Sequence, residues 1–268
     1  MQDVRIETDA EVEGLSWVIL DRPEARNAYS DAMVDELVLA LDQLEADDAV
    51  RCVAVTGAGR AFSAGGDLKA MRDHSGMFEG DAVGLRDRYL RGIQRVPRRF
   101  ARFDKPVIAA LNGPAIGAGL DLACMCDVRV AVEGAKLGST FVKVGLVPGD
   151  GGAYLLARTI GFPAALDLIL SARLVQGQEA LALGLVNEVV PDAEALTARV
   201  RARAQAFCSL PPVALRLAKS AAYRSWDLPL HAALDVAAAY QGVAQNTADH
   251  DEAVASFLEK RPPTFRGR

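Results

Sequence analysis

The stretch KPVIAALNGPAIGAGLDLACMCDVRVA, residues 105–131, decides the fold. Val107 to Leu111 is a short apolar run between Pro106 and Asn112-Gly113, and it reads as a buried strand. The loop NGPAIGAG follows, then a helix from about Gly117 to Cys124, then a strand from Val128 to Val132. Strand, glycine loop, helix and strand in that order predict an α/β core. The same plan stands upstream, where Arg51 to Thr56 (RCVAVT) predicts a strand that ends at Gly57 and opens the loop GAGRAFSAGGDL. Small residues directly after a strand let backbone approach a ligand, so both loops are candidate parts of one site.

Working outward, Leu15 to Leu20 (LSWVIL) reads as another strand, and DRPEARNA behind it as an ordered loop marked by Pro23 and Asn27. Ser30 is a helix N-cap, with Val34, Leu37, Val38, Leu41 and Leu44 on one face of the helix it opens. Residues 72–82 are polar and aperiodic and read as a mobile connection. A helical stripe then runs through Leu85, Tyr89, Ile93, Val96, Phe100 and Phe103, with a kink expected at Pro97. After Pro191 the pattern is wholly helical, broken at Pro211-Pro212 and around Asp227 to Pro229. The chain therefore divides into a core, 1–195, and a helical region, 196–268.

At 268 residues the chain can bury a full core, and 51% hydrophobic with 24% charged residues is an ordinary globular balance. Thirty basic against thirty-five acidic residues, with no basic stripe, argues against a polynucleotide partner. No run is apolar enough to span a membrane and the polar N-terminus does not read as a signal peptide, so the expected location is the cytoplasm. Cys52, Cys124, Cys126 and Cys208 are too scattered for a disulfide framework and lack zinc-pair spacing; they read as reduced core residues, and no metal is expected. His74, His231 and His250 read as solvated or packing side chains.

Neither glycine loop fits a dinucleotide fingerprint: Gly57 and Gly59 are followed by Phe62, and Gly117 and Gly119 by Leu122, where a third glycine belongs. No GxxxxGK[ST] is present either. Each loop alone is equally well a tight turn. As a pair they suit an oxyanion hole, in which free N–H groups and a helix N-terminus converge on one oxygen as it gains charge.

The segments AFSAGGDLKAM (61–71), 105–131, VGLVPGDGGAYLLARTIG (144–161) and ALALGLVNEVVP (180–191) resemble the enoyl-CoA hydratase/isomerase (crotonase) superfamily. DRPEARNA and the closing FLEKRPPTFRGR match in the expected order, so the resemblance runs nearly end to end. It implies an α/β spiral of ββα units on two stacked sheets, with C-terminal helices that build a homotrimer or a dimer of trimers. It also implies an acyl-CoA thioester as substrate, with no cofactor beyond the CoA that the substrate carries.

By position in the matching motifs, the resemblance makes the amides of Ala64 and Ala118 the two oxyanion donors, with Gly117 beside the second. It places the first proton-transfer carboxylate at Asp121, three residues after Ala118 and on the same helical face, where the hydratases carry a longer Glu. The second glutamate falls at Phe141, which cannot carry a proton. Asp150 in VPGDGGA has two readings, a replacement carboxylate or the cap of a helix beginning near Gly151. For CoA the resemblance points to Arg26 and Ala28, to the backbone around Asp67 and Leu68, and to Phe257 and Lys260; Asp67 itself is mostly a helix cap in the family. Water addition to an enoyl-CoA and a shift of its double bond share one enolate, and both remain open. The alternatives are an acyl-CoA binder without turnover and a CoA-independent carbon–carbon hydrolase on the same fold.

Overall fold

The computed structural model describes all 268 residues. An antiparallel hairpin opens the chain, β1 (Val4–Thr8) and β2 (Leu15–Leu20). Helix α1 (Asp31–Ala46) starts at its cap, where the Ser30 hydroxyl accepts the Met33 N–H at 2.9 Å. Strand β3 (Cys52–Gly57) is followed by α2 (Leu68–Arg72), α3 (Ala82–Arg91) and α4 (Arg95–Phe100). Then come β4 (Val107–Leu111), β5 (Ala115–Ile116), α5 (Ala118–Met125), β6 (Val128–Val132) and β7 (Leu137–Gly138). Helices α6 (Gly152–Ile160), α7 (Phe162–Ser171) and α8 (Gly177–Ala182) lead to β8 (Glu188–Val190). The chain closes with α9 (Ala193–Cys208), α10 (Pro212–Ser225), α11 (Leu230–Gln245) and α12 (Ala248–Glu259).

The main sheet runs β1-β2-β3-β4-β6-β8, parallel throughout except for the first hairpin, and β5 pairs with β7 in a small second sheet. Strand β4, VIAAL, is buried at every position. A strand covered on both faces has no solvent side, so its apolar residues are continuous rather than alternating. One face packs on α1, α4 and α5 through Leu37, Leu41, Val96, Phe100 and Leu122. The other is covered by α9, whose Leu196, Val200, Ala204 and Cys208 meet Leu15, Cys52, Ala54, Ile108 and Val130.

Helix α9 thus crosses the expected 195/196 boundary and belongs to the sheet's core; the helices standing away from the sheet begin at Pro212. The stripe through residues 85–103 breaks at Gly92, where the first helix ends, and not at Pro97. Pro97 lies in the first turn of α4, where a missing N–H leaves no acceptor unpaired. The segment 72–82, expected as a mobile connection, instead forms a 3-10 turn at Gly76–Phe78, and Asp81 caps α3 by accepting the Gly84 N–H at 2.8 Å. All four cysteines are buried and unpaired. No helix is long and apolar enough to cross a membrane.

Candidate active site

The two glycine loops meet in space. Ser63 donates its N–H to the Pro114 carbonyl at 3.1 Å, and Ile116 donates to the Ser63 carbonyl at 3.0 Å. A Cβ on Gly65, whose φ is +80°, would stand 2.3 Å from the Ile116 carbonyl oxygen, and one on Gly119 would stand 2.3 Å from that of Ser63. Only residues without a Cβ allow this approach. The early loop is tied to the same place: Asn27 Nδ2 donates to the Ala58 and Ala61 carbonyls at 3.0 and 2.8 Å, and Ser63 Oγ donates to the Asn27 carbonyl at 2.7 Å.

This bonding corrects one expected donor. The Ala64 N–H is already held by the Arg26 carbonyl at 2.9 Å, so it cannot turn to a ligand oxygen. Gly65 donates to Ser63 Oγ at 3.2 Å, whereas the next amide, that of Gly66, has no acceptor in the chain. On the second loop Ala118 opens α5, so its N–H has no intrahelical acceptor and lies at the positive end of the helix dipole. Gly66 and Ala118 both line one cavity, as do Ala64, Leu68 and Gly117.

That cavity, about 300 Å³, is walled by Met71, Met77, Phe78, Tyr89, Ile93 and Phe141. The Phe141 ring faces Gly117, with ring atoms 3.7–3.9 Å from where a Cβ on Gly117 would be. An apolar ring therefore sits where the family resemblance places a second carboxylate. Asp150 is the one carboxylate that lines the cavity, while Arg88 and Lys143 are its cations.

Asp121 does not line the cavity; it is 1% exposed, its carboxyl packed so closely on Gly152 that a Cβ there would stand 2.1–2.3 Å from it. Asp150 is 2% exposed. With both carboxyls ionised, none of the four oxygens finds a donor. Both titrate above the ordinary carboxylate range. Burial is the main cause, and for Asp121 the neighbouring Asp150 adds to it. Asp150 does not cap the following helix: Gly151 occupies the N-cap position and no side chain caps that end. Asp67, in contrast, caps α2 by accepting from the Lys69 and Ala70 N–H groups at 2.9 and 3.2 Å.

Of the residues expected at CoA, Leu68 is 61% exposed at the cavity and Arg26 is exposed on the loop whose carbonyl holds Ala64. Ala28 is buried, and its carbonyl accepts from Arg22 Nη1 at 2.6 Å. Phe257 and Lys260 lie on and just after α12, away from the cavity within this chain, with Phe257 84% exposed. Gly66 is a site residue that the motifs leave unmarked. Gly66 becomes visible only when the amides before it are seen to be bonded, which no motif spells out.

A family model described as enoyl-CoA hydratase/isomerase matches residues 10–268. A 1,2-epoxyphenylacetyl-CoA isomerase of Escherichia coli K12 is 37% identical over 255 residues, 95% of this chain and 96% of that protein. A human enoyl-CoA hydratase domain-containing protein 2, mitochondrial, is 38% identical over 264 residues, covering 96% of this chain and 87% of its own. The crystal structure of an enoyl-CoA hydratase from Bacillus anthracis superposes with a TM-score of 0.91 at 33% identity, covering 100% of both chains. Converging glycine loops, a helix opening at the second of them and full-length likeness agree: the chain has the crotonase fold and belongs to the enoyl-CoA hydratase/isomerase family.

Proposed function

We propose that this enzyme relocates a proton within an acyl-CoA thioester and shifts its double bond. The thioester oxygen sits between the Gly66 and Ala118 amides, which bind it more strongly as an enolate than as a carbonyl. Asp150 takes the proton from one carbon of the enoyl chain, and the electron pair moves onto the thioester oxygen. Asp150 then gives a proton to the carbon two bonds along, the thioester carbonyl re-forms and Asp150 regains its charge. One carboxylate suffices because it is base and then acid. Water addition asks for a group that holds and activates water beside the acid, and Phe141 fills that place with a ring. The observation that carries this reading is that Asp150 is the one acidic residue lining the cavity.

The exposed Arg26 side chain and Lys260 supply charge for the CoA phosphates, Lys260 from a neighbouring copy. Trp226, just after α10, and Leu230 and Leu234 on α11 are all more than half exposed and suit burial between copies in a trimer.

The test is incubation of the purified protein with enoyl-CoA thioesters of varied chain in heavy water, followed by mass analysis. Deuterium uptake or a moved double bond without added mass of water supports the reading. A product heavier by one water establishes a hydratase, and thioesters that bind but return unlabelled establish a binding protein without turnover.

A further inference from the structure

Asp150 stands in a lightly held stretch of main chain. Gly149 precedes it and Gly151 and Gly152 follow, so no neighbouring side chain anchors it and the backbone on both sides has wide conformational choice. The main chain of residues 147–150 makes a single hydrogen bond to the rest of the protein: its acceptor is the Gly149 carbonyl, and Gln94 Nε2 donates to it at 2.8 Å. Gln94 occupies the N-cap position of α4, where a side chain ordinarily bonds the free amides of its own helix, yet it makes no such bond. Arg98 Nη2 donates to Gln94 Oε1 at 3.2 Å, which leaves the amide nitrogen as the donor toward Gly149. The Gln94 N–H donates to the Tyr89 carbonyl at 3.1 Å, and the Tyr89 ring packs on Gly149 so closely that a Cβ there would stand 2.6 Å from its Cε1. Arg88, Tyr89 and Ile93, just before Gln94 in the chain, line the cavity. The segment that walls the substrate therefore reaches the Asp150 loop through the Gln94 amide and the Tyr89 ring.

We propose that Gln94 is a positioning residue for the double-bond shift: by holding the Gly149 carbonyl it sets Asp150 between the carbon that loses a proton and the carbon that gains one. This rests on the proton-transfer role of Asp150. The two carbons lie about 2.5 Å apart by ordinary bond lengths and angles, so one carboxyl has to serve both from one place. A misplacement of about 1 Å at the reacting groups costs on the order of a hundredfold in rate. Without the Gln94 bond the peptide between Gly149 and Asp150 is free to turn, and the carboxyl settles within reach of one carbon only. It then breaks a C–H bond there, the electron pair moves onto the thioester oxygen, and a solvent-derived proton from Asp150 re-forms the bond at the same carbon. That cycle exchanges label and leaves the double bond where it was. Gln94 is thus the fixed point of the cavity wall on the carboxylate loop.

The test measures two rates side by side in heavy water, deuterium uptake and movement of the double bond, on an enoyl-CoA that the protein turns over, for the wild type, Gln94→Met and Asp150→Asn. Methionine keeps the length of glutamine and removes the donor. Gln94→Met is expected to lower kcat for the shift by about thirtyfold and exchange by less than about fivefold, with KM within about twofold of the wild type, so that exchange per shift rises. Gln94→Glu keeps the bond from Arg98 but offers Gly149 no donor; it is expected to give the same pattern and keeps the test open if Gln94→Met folds poorly. Shift and exchange that fall in one proportion mark fewer folded molecules, not a misplaced carboxyl, and overturn the role of Gln94. A kcat for the shift within about threefold of the wild type, with KM raised or unchanged, overturns it as well. Exchange and shift that survive Asp150→Asn overturn the proton-transfer reading and this inference with it.

Discussion

Two parts of the molecule bury aspartates and treat them in opposite ways. Asp9, in the turn between β1 and β2, is 8% exposed and accepts four hydrogen bonds: from Glu11 N–H at 2.8 Å, Val12 N–H at 2.9 Å, Trp17 Nε1 at 2.8 Å and Arg201 Nε at 2.8 Å. Burial pushes its pKa up, but the Trp17 indole, Arg201 and the two backbone donors outweigh it and leave the carboxyl at about 2. Asp121 and Asp150 are as deeply buried, receive no donor, and are held above the ordinary range. Burial alone therefore does not say what an aspartate does. The donors around it decide: a fully bonded carboxylate fastens α9 to the first hairpin, while carboxyls without donors are held above the ordinary range, as the proposed proton transfer asks.

The comparison is broken most directly at Asp150. Asp150→Asn is expected to lower deuterium exchange into enoyl-CoA by about a thousandfold, with the thioester still bound; exchange within tenfold of the wild type would remove the distinction between the two regions. Asp9→Ala is the mirror case. It leaves the Trp17, Arg201 and backbone donors facing a gap, and is expected to destabilise the fold by about 3 kcal/mol at neutral pH in urea unfolding while turnover per folded molecule stays the same. The folded pKa of Asp9 is depressed, so its contribution is present above the unfolded value near 4 and is lost as pH falls through about 2. The gap between wild type and Asp9→Ala should close over that interval.

Asp121→Asn sharpens the contrast from the other side. Its folded pKa is raised, so the folded state binds more protons than the unfolded one above about pH 4 and ionisation costs stability as pH rises. The variant is expected to be more stable than the wild type by about 1 kcal/mol at pH 8, with the gain vanishing near pH 4, and to be less active. Thermal melts across that range check the sign. The smallest effect is expected at Phe141: Phe141→Glu should produce a trace of water adduct, no more than about tenfold above background, read by mass.

The parallel sheet was legible because β3 and β4 are buried on both faces and so carry apolar runs that stop at glycine or start after proline. The α1 cap was equally plain, since Ser30 bonds within its own turn. Features set by contact across the sequence were not legible. Ala64 looks as available as Ala118 until Arg26, thirty-eight residues upstream, is seen to hold its amide. Asp121 and Asp150 both read as site carboxylates, but which of them meets the cavity depends on the packing of α5 against Gly152 on α6. The helix break was misplaced at Pro97 because proline is harmless in a first turn, whereas Gly92 takes a conformation, φ −104° and ψ −112°, that ends α3.

Much of the cavity wall and the carboxylate that lines it are carried by different parts of the chain. Met71, Met77, Phe78, Tyr89 and Ile93 all belong to the excursion between β3 and β4, while Ala118 and Asp150 follow later strands. Such a layout lets substrate range evolve apart from the lining carboxylate: a lineage can lengthen, shorten or reshape the excursion beyond Gly66 and inherit Ala118 and Asp150 unchanged.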